Sequence, residues 1–129
     1  MRHILFIFTI LLLSSSVIGN SHNGETLYGW GEYPDYVWKG VGEKGTHHEY
    51  KGKVENGVPN GQGILTAPDG RKYVGDFKDG MRSGQGTQTY SDGGKYEGSW
   101  KNGVRWDGTS YDKDGKIHKK YVNGKWIKQ

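Results

Sequence analysis

The sequence predicts an all-β chain, a single-layer antiparallel meander of consecutive β-hairpins with no helix in the mature chain. Three observations carry this. First, Tyr50, Tyr73 and Tyr96 recur every 23 residues, with glycine at plus two (Gly52, Gly75, Gly98) and at plus seven (Gly57, Gly80, Gly103). A self-similar period of that length marks a repeat architecture. Second, each unit holds two turn signals, Asn56-Gly57, Asp79-Gly80 or Asn102-Gly103 and then Asp69-Gly70, Asp92-Gly93 or Asp114-Gly115. Asn-Gly and Asp-Gly pairs tolerate positive φ at both central turn positions, and the resulting twist matches paired strands. Third, the segments between turns have strand length, and Tyr73, Gly75 and Phe77 alternate with Val74, Asp76 and Lys78, the period of two that separates the faces of a strand.

The elements follow in order. Residues 1–19 read as a secretory signal peptide: a basic start at Arg2, an apolar run from Ile4 to Leu13 broken by Thr9, and small or polar residues from Ser14 to Gly19. Cleavage is expected after Gly19, which makes the product secreted or resident in the periplasm or cell envelope. If uncleaved, the run would anchor it to a membrane. Residues 20–49 place Tyr28, Trp30, Tyr33, Tyr36 and Trp38 among glycines but outside the period, and are expected to cap the first unit, with an aromatic binding strip as the functional alternative. Units follow at residues 50–72, 73–95 and 96–117, the last one residue short, and 118–129 is a degenerate half-unit.

In this register Val54, Phe77 and Trp100 share a slot, so stacked units should align a tyrosine column beside a large apolar one. Gly61, Gly63, Gly84 and Gly86 on the second strands are expected to leave space for rings from the neighbouring strand. Trp106 and Asp107 replace the first of these glycines in the third unit, where a bend or bulge is expected. Aligning Gly124 with Gly103 puts Ile117 in the tyrosine slot, Lys119 in the glycine slot and Tyr121 in the aromatic slot. Terminal repeats commonly deviate, since one face lacks a neighbour.

The succession Tyr-x-Gly, aromatic, Asn/Asp-Gly, Gly-x-Gly, Asp-Gly resembles the MORN repeat (membrane occupation and recognition nexus), well over residues 50–115 and loosely over 116–129. The resemblance implies a hairpin array whose repeat residues are structural, and a role in scaffolding, self-association or contact with membranes.

Chemistry is sparse. No nucleophile elbow, phosphate loop or HExxH helix is present, so no enzyme and no cofactor is expected. Cysteine is absent, which removes disulfides, thiol catalysis and Cys-based zinc sites. His47-His48-Glu49 is the one metal-like cluster, but adjacent histidines on a strand point to opposite faces. Asp69, Asp92 and Asp114 are explained as turn residues rather than calcium ligands. An enzyme stacking sugars on exposed rings would need paired carboxylates across a cleft, and scattered turn aspartates do not supply them.

Charge is the remaining lead. The chain carries 18 Lys and Arg against 14 Asp and Glu, net +4. Lys113, Lys116, Lys119, Lys120, Lys125 and Lys128 crowd the C-terminal end with Asp114 alone opposing them. Such a cluster could attract an anionic lipid surface, or simply guard an edge strand against aggregation. The expected function is a non-catalytic, exported interaction module with a protein partner, and peripheral binding to anionic phospholipid through these lysines is the alternative. A homodimer could form through the open sheet edge. Nucleic acid is a poor candidate partner, because export removes the chain from most of it.

Overall fold

A computed structural model describes residues 21–128; the signal peptide expected at residues 1–19 lies outside the described residues. Among the described residues there is no helix. Ten strands form one open antiparallel sheet: β1 (Ser21–Trp30), β2 (Val37–Lys39), β3 (His48–Glu55), β4 (Val58–Thr66), β5 (Lys72–Lys78), β6 (Met81–Thr89), β7 (Lys95–Lys101), β8 (Val104–Tyr111), β9 (Ile117–Val122) and β10 (Lys125–Lys128). From β3 to β10 each strand pairs with the next, the expected meander. The departure lies in the N-terminal segment, which contributes strands of its own: β1 pairs with β3 on one side and β2 on the other.

Turn chemistry explains the strand order. At β3–β4, β5–β6, β7–β8 and β9–β10 both central residues lie at positive φ, as in Asn56 at 53° and Gly57 at 76°. The second turn of each unit differs from the sequence expectation. There only the glycine is left-handed, at 93°, 94° and 82° for Gly70, Gly93 and Gly115. The amide of Gly70 donates to Ala67 O at 3.0 Å and that of Ala67 to Arg71 O at 2.8 Å. This three-residue connection with a left-handed glycine is a different hairpin class, and it relieves the aspartate of positive φ.

A bulge recurs in every unit. Val54 pairs with Pro59 and Gly52 with Gly63, so Lys53 alone opposes Asn60, Gly61 and Gln62. The second unit repeats this between Gly75 and Phe77. In the third, Ser99 opposes only Trp106 and Asp107. The bulge expected at Trp106 and Asp107 is therefore present, but it is a shortened form of one that all units possess. Gly61 and Gly84 are bulge residues at φ 101° and 62°, and a Cβ on them would meet Lys53 and Asp76 side chains rather than rings.

One face of the sheet, here called the ring face, buries Tyr50, Tyr73 and Tyr96 at 0, 1 and 0% exposure, with Leu27, Val54, Phe77 and Trp100. The two expected columns merge into one zigzag of edge-to-face contacts. Ring centroids run Trp38–Tyr50 at 6.1 Å, Tyr50–Phe77 at 4.9, Phe77–Tyr73 at 5.0, Tyr73–Trp100 at 5.2, Trp100–Tyr96 at 5.1 and Tyr96–Tyr121 at 5.3 Å. Each such pair adds about 0.5–1.5 kcal/mol beyond area burial. Trp38 of the cap supplies the ring that Val54 does not, and Tyr121 of the half-unit closes the far end.

The tyrosine hydroxyls explain why phenylalanine does not occupy this column. Those of Tyr73 and Tyr96 donate to the carbonyls of Asp76 and Ser99 at 2.8 and 2.9 Å, pinning each bulge. Burial pushes Tyr50 and Tyr96 up to about 12 and raises Tyr73 as well. Because the folded values lie above the ordinary 10, this contribution is whole below pH 10 and is lost as pH rises through the folded values. Alkaline titration followed together by tyrosinate absorbance and far-ultraviolet circular dichroism should show Tyr50, Tyr73 and Tyr96 ionising late, in step with unfolding. Ionisation of all nine near pH 10 with the fold intact would contradict this burial.

Candidate binding face

Pairing across each hairpin decides what lies beside the ladder. The large apolar slots Val54, Phe77 and Trp100 face Pro59, Arg82 and Arg105, and the tyrosines Tyr50, Tyr73 and Tyr96 face Leu65, Gln88 and Ser110. The ring face therefore changes along the sheet, apolar in the first unit and polar and basic in the second and third.

Both guanidiniums lie against rings. Cζ of Arg82 is 4.5 Å from the Trp100 centroid, 5.0 from Tyr33 and 5.9 from Tyr73. Cζ of Arg105 is 5.4, 5.5 and 5.7 Å from Tyr90, Tyr121 and Tyr96. Arg82 donates to Gln88 Oε1 at 2.9 Å and to Gly103 O at 3.3 Å, and Arg105 donates to the hydroxyls of Tyr121 and Tyr90. All these acceptors are neutral. Nε of each arginine is buried without a hydrogen bond, and among the described residues neither arginine has a carboxylate partner. Ring stacking is worth about 0.5–2 kcal/mol to a guanidinium, but it leaves the positive charge uncompensated. Arg71 differs, since Asp69 holds its Nε at 2.7 Å.

Residues 31–36 cross this face as a strap. Tyr33, at the tip, donates its hydroxyl to Gly103 O at 2.8 Å, bridging from the cap to the third unit. Behind it the Tyr36 ring packs 4.9 Å from His48 and 5.4 Å from Trp38. Tyr33 and Tyr36 roof a cavity of about 150 Å³ floored by Leu65, Tyr73 and Arg82. One unit further along, an open depression of about 290 Å³ is lined by Arg71, Arg82, Gln88, Tyr90, Trp100 and Arg105. Burial lowers the pKa of His48 and raises that of Tyr36, so both stay neutral at physiological pH where the two rings pack together.

The structure does not gather the C-terminal lysines. By strand alternation Lys119 and Lys128 share the face of Tyr121, while Lys120 and Lys125 take the other. Lys113 and Lys116 flank the Asp114-Gly115 turn, and Lys119 Nζ stacks 4.7 Å from the Trp126 ring. His47 and His48 diverge, the first against Trp30 at 4.0 Å and the second against Tyr36. Sequence reasoning missed Arg82 and Arg105, and named Tyr33 only among the rings of the N-terminal segment. A signal for the arginines existed: each stands three residues after the Asp or Asn of its first turn, one period apart.

The comparisons agree with the repeat register. Residues 50–70, 73–95 and 96–106 each match the MORN repeat family. No curated protein matches the chain.

Proposed function

We propose that this chain, which carries MORN repeats at residues 50–70, 73–95 and 96–106, is an interaction module that acts without catalysis, after export, by docking a protein partner on its ring face. The observation that supports this is the pair of ring-stacked, carboxylate-free guanidiniums at Arg82 and Arg105 beside an open depression. Guanidinium groups held against aromatic walls are pre-organised donors that lose little entropy on meeting a planar acid. The sheet around them is fixed by the ladder, so the module offers a rigid surface rather than a moving one. Export follows from the leader reading, and places the partner in the cell envelope or outside the cell.

Affinity capture of the tagged, exported chain from its own cell envelope should return a reproducible protein partner, depleted when Arg82 and Arg105 are both replaced by methionine. Capture of no partner at all, or of one indifferent to the double substitution, counts against the proposal. Because the C-terminal lysines point two ways, lipid binding through them has less support. Co-sedimentation with anionic liposomes is expected to be weak and unchanged by Lys119→Glu with Lys120→Glu.

A further inference from the structure

We infer that the ring face of the second and third units binds an acidic, tyrosine-bearing peptide segment of the protein partner, and that residues 31–36 are an internal copy of that ligand seated at the first of two stations. The inference deepens the interaction-module reading and rests on it.

The internal segment reads Gly31-Glu32-Tyr33-Pro34-Asp35-Tyr36. Its tyrosine satisfies Gly103 O and stacks on Arg82, and its two acids flank that tyrosine. A peptide is thus already seated on this face, and its contacts show what the face accepts: a ring against a guanidinium and a phenol to a turn carbonyl. The strap occupies only the Arg82 station. At the next station Arg105 stands between Tyr90, Tyr96 and Tyr121, beside the open depression and with no segment above it among the described residues.

Charge and spacing narrow the ligand. Two guanidiniums one repeat apart are separated by two strand spacings, about 10 Å. An extended peptide covers the same distance in three residues, about 10 Å; the strap carries acids at that sequence spacing, Glu32 and Asp35, but it turns between them, and among the described residues neither acid pairs with an arginine. Carboxylates accept guanidinium donors in a fork geometry, and both arginines retain unused Nη hydrogens. An acidic peptide with acids three apart around a tyrosine therefore complements the pair, whereas a basic or neutral one leaves both charges unanswered.

The test uses the exported full chain and a dye-labelled peptide of sequence GEYPDY, read by fluorescence anisotropy, beside a copy with lysine at both acidic positions. The acidic peptide is expected to bind saturably with a Kd below about 1 mM, and the lysine copy not to bind. Arg105→Met should weaken binding by roughly tenfold or more, Arg105→Lys less, and Tyr33→Ala, which vacates the first station, should tighten it. Amide shift mapping on the unsubstituted protein should place the peptide at Tyr90, Gly103 and Arg105, so the outcome does not depend on any variant folding. Equal binding of both peptides, no binding at about 1 mM, or shifts confined to the opposite face would overturn the inference. So would phosphatidylserine vesicles binding through Arg105 while the peptide stays silent. A captured partner with an unbound peptide sinks this inference alone, and the absence of any partner sinks the reading beneath it.

Discussion

Gly86→Ala is expected to destabilise the protein by about 3 kcal/mol or more, at the upper end of overpacking substitutions. A Cβ at this position would lie 2.3 Å from the Tyr73 hydroxyl and 2.4 Å from its ring carbons. The ring cannot yield cheaply: Tyr73 is wedged between Phe77 and Trp100, and its hydroxyl is held by Asp76 O. Gly57→Ala is the informative contrast. It sits at φ 76° with nothing within 4 Å of an added Cβ, so only left-handed strain applies, about 1–2 kcal/mol. Urea unfolding of both variants separates the two causes. Equal losses would mean that the glycines serve conformation alone and that the ring floor is unimportant.

The second large effect is expected at Tyr73 itself. Replacement by alanine removes the middle ring of the ladder and leaves Phe77 and Trp100 facing a cavity, at a cost of about 3–5 kcal/mol. Tyr73→Phe keeps the ring and loses one hydrogen bond to the bulge carbonyl, about 1 kcal/mol. Thermal unfolding of the pair should therefore show one severe and one mild loss. A mild loss in both would show that strand pairing alone holds the sheet and that the rings are passengers.

Much of this fold was legible because its determinants are local and repeated. Asn-Gly and Asp-Gly pairs close hairpins through their own backbone preferences, and a 23-residue period needs only one sequence to be seen. The aromatic register of Val54, Phe77, Trp100 and Tyr121 was legible for the same reason. What escaped depends on contacts distant in sequence. Nothing local says that β1 will insert between β2 and β3, or that Tyr33 will reach a turn 70 residues away. The candidate site was half visible: Arg82 and Arg105 obey the period, but charge was weighed by density, which favoured the C-terminal lysines. Strand alternation then splits those lysines between two faces, whereas cross-strand pairing sets both arginines beside the ladder. The second turns, Asp69-Gly70, Asp92-Gly93 and Asp114-Gly115, were assigned to the wrong hairpin class, whereas Asp79-Gly80 was assigned correctly, because the dipeptide alone does not report the length of the connection.

The account stands most directly on which face meets the partner. A photo-crosslinking phenylalanine analogue placed at Tyr90, beside Arg105 on the ring face, is to be compared with one at Val74, which is 47% exposed on the outer face. Irradiation in the native cell envelope is expected to give a discrete protein adduct from position 90 and none from position 74. An adduct from position 74 with position 90 silent would contradict the account.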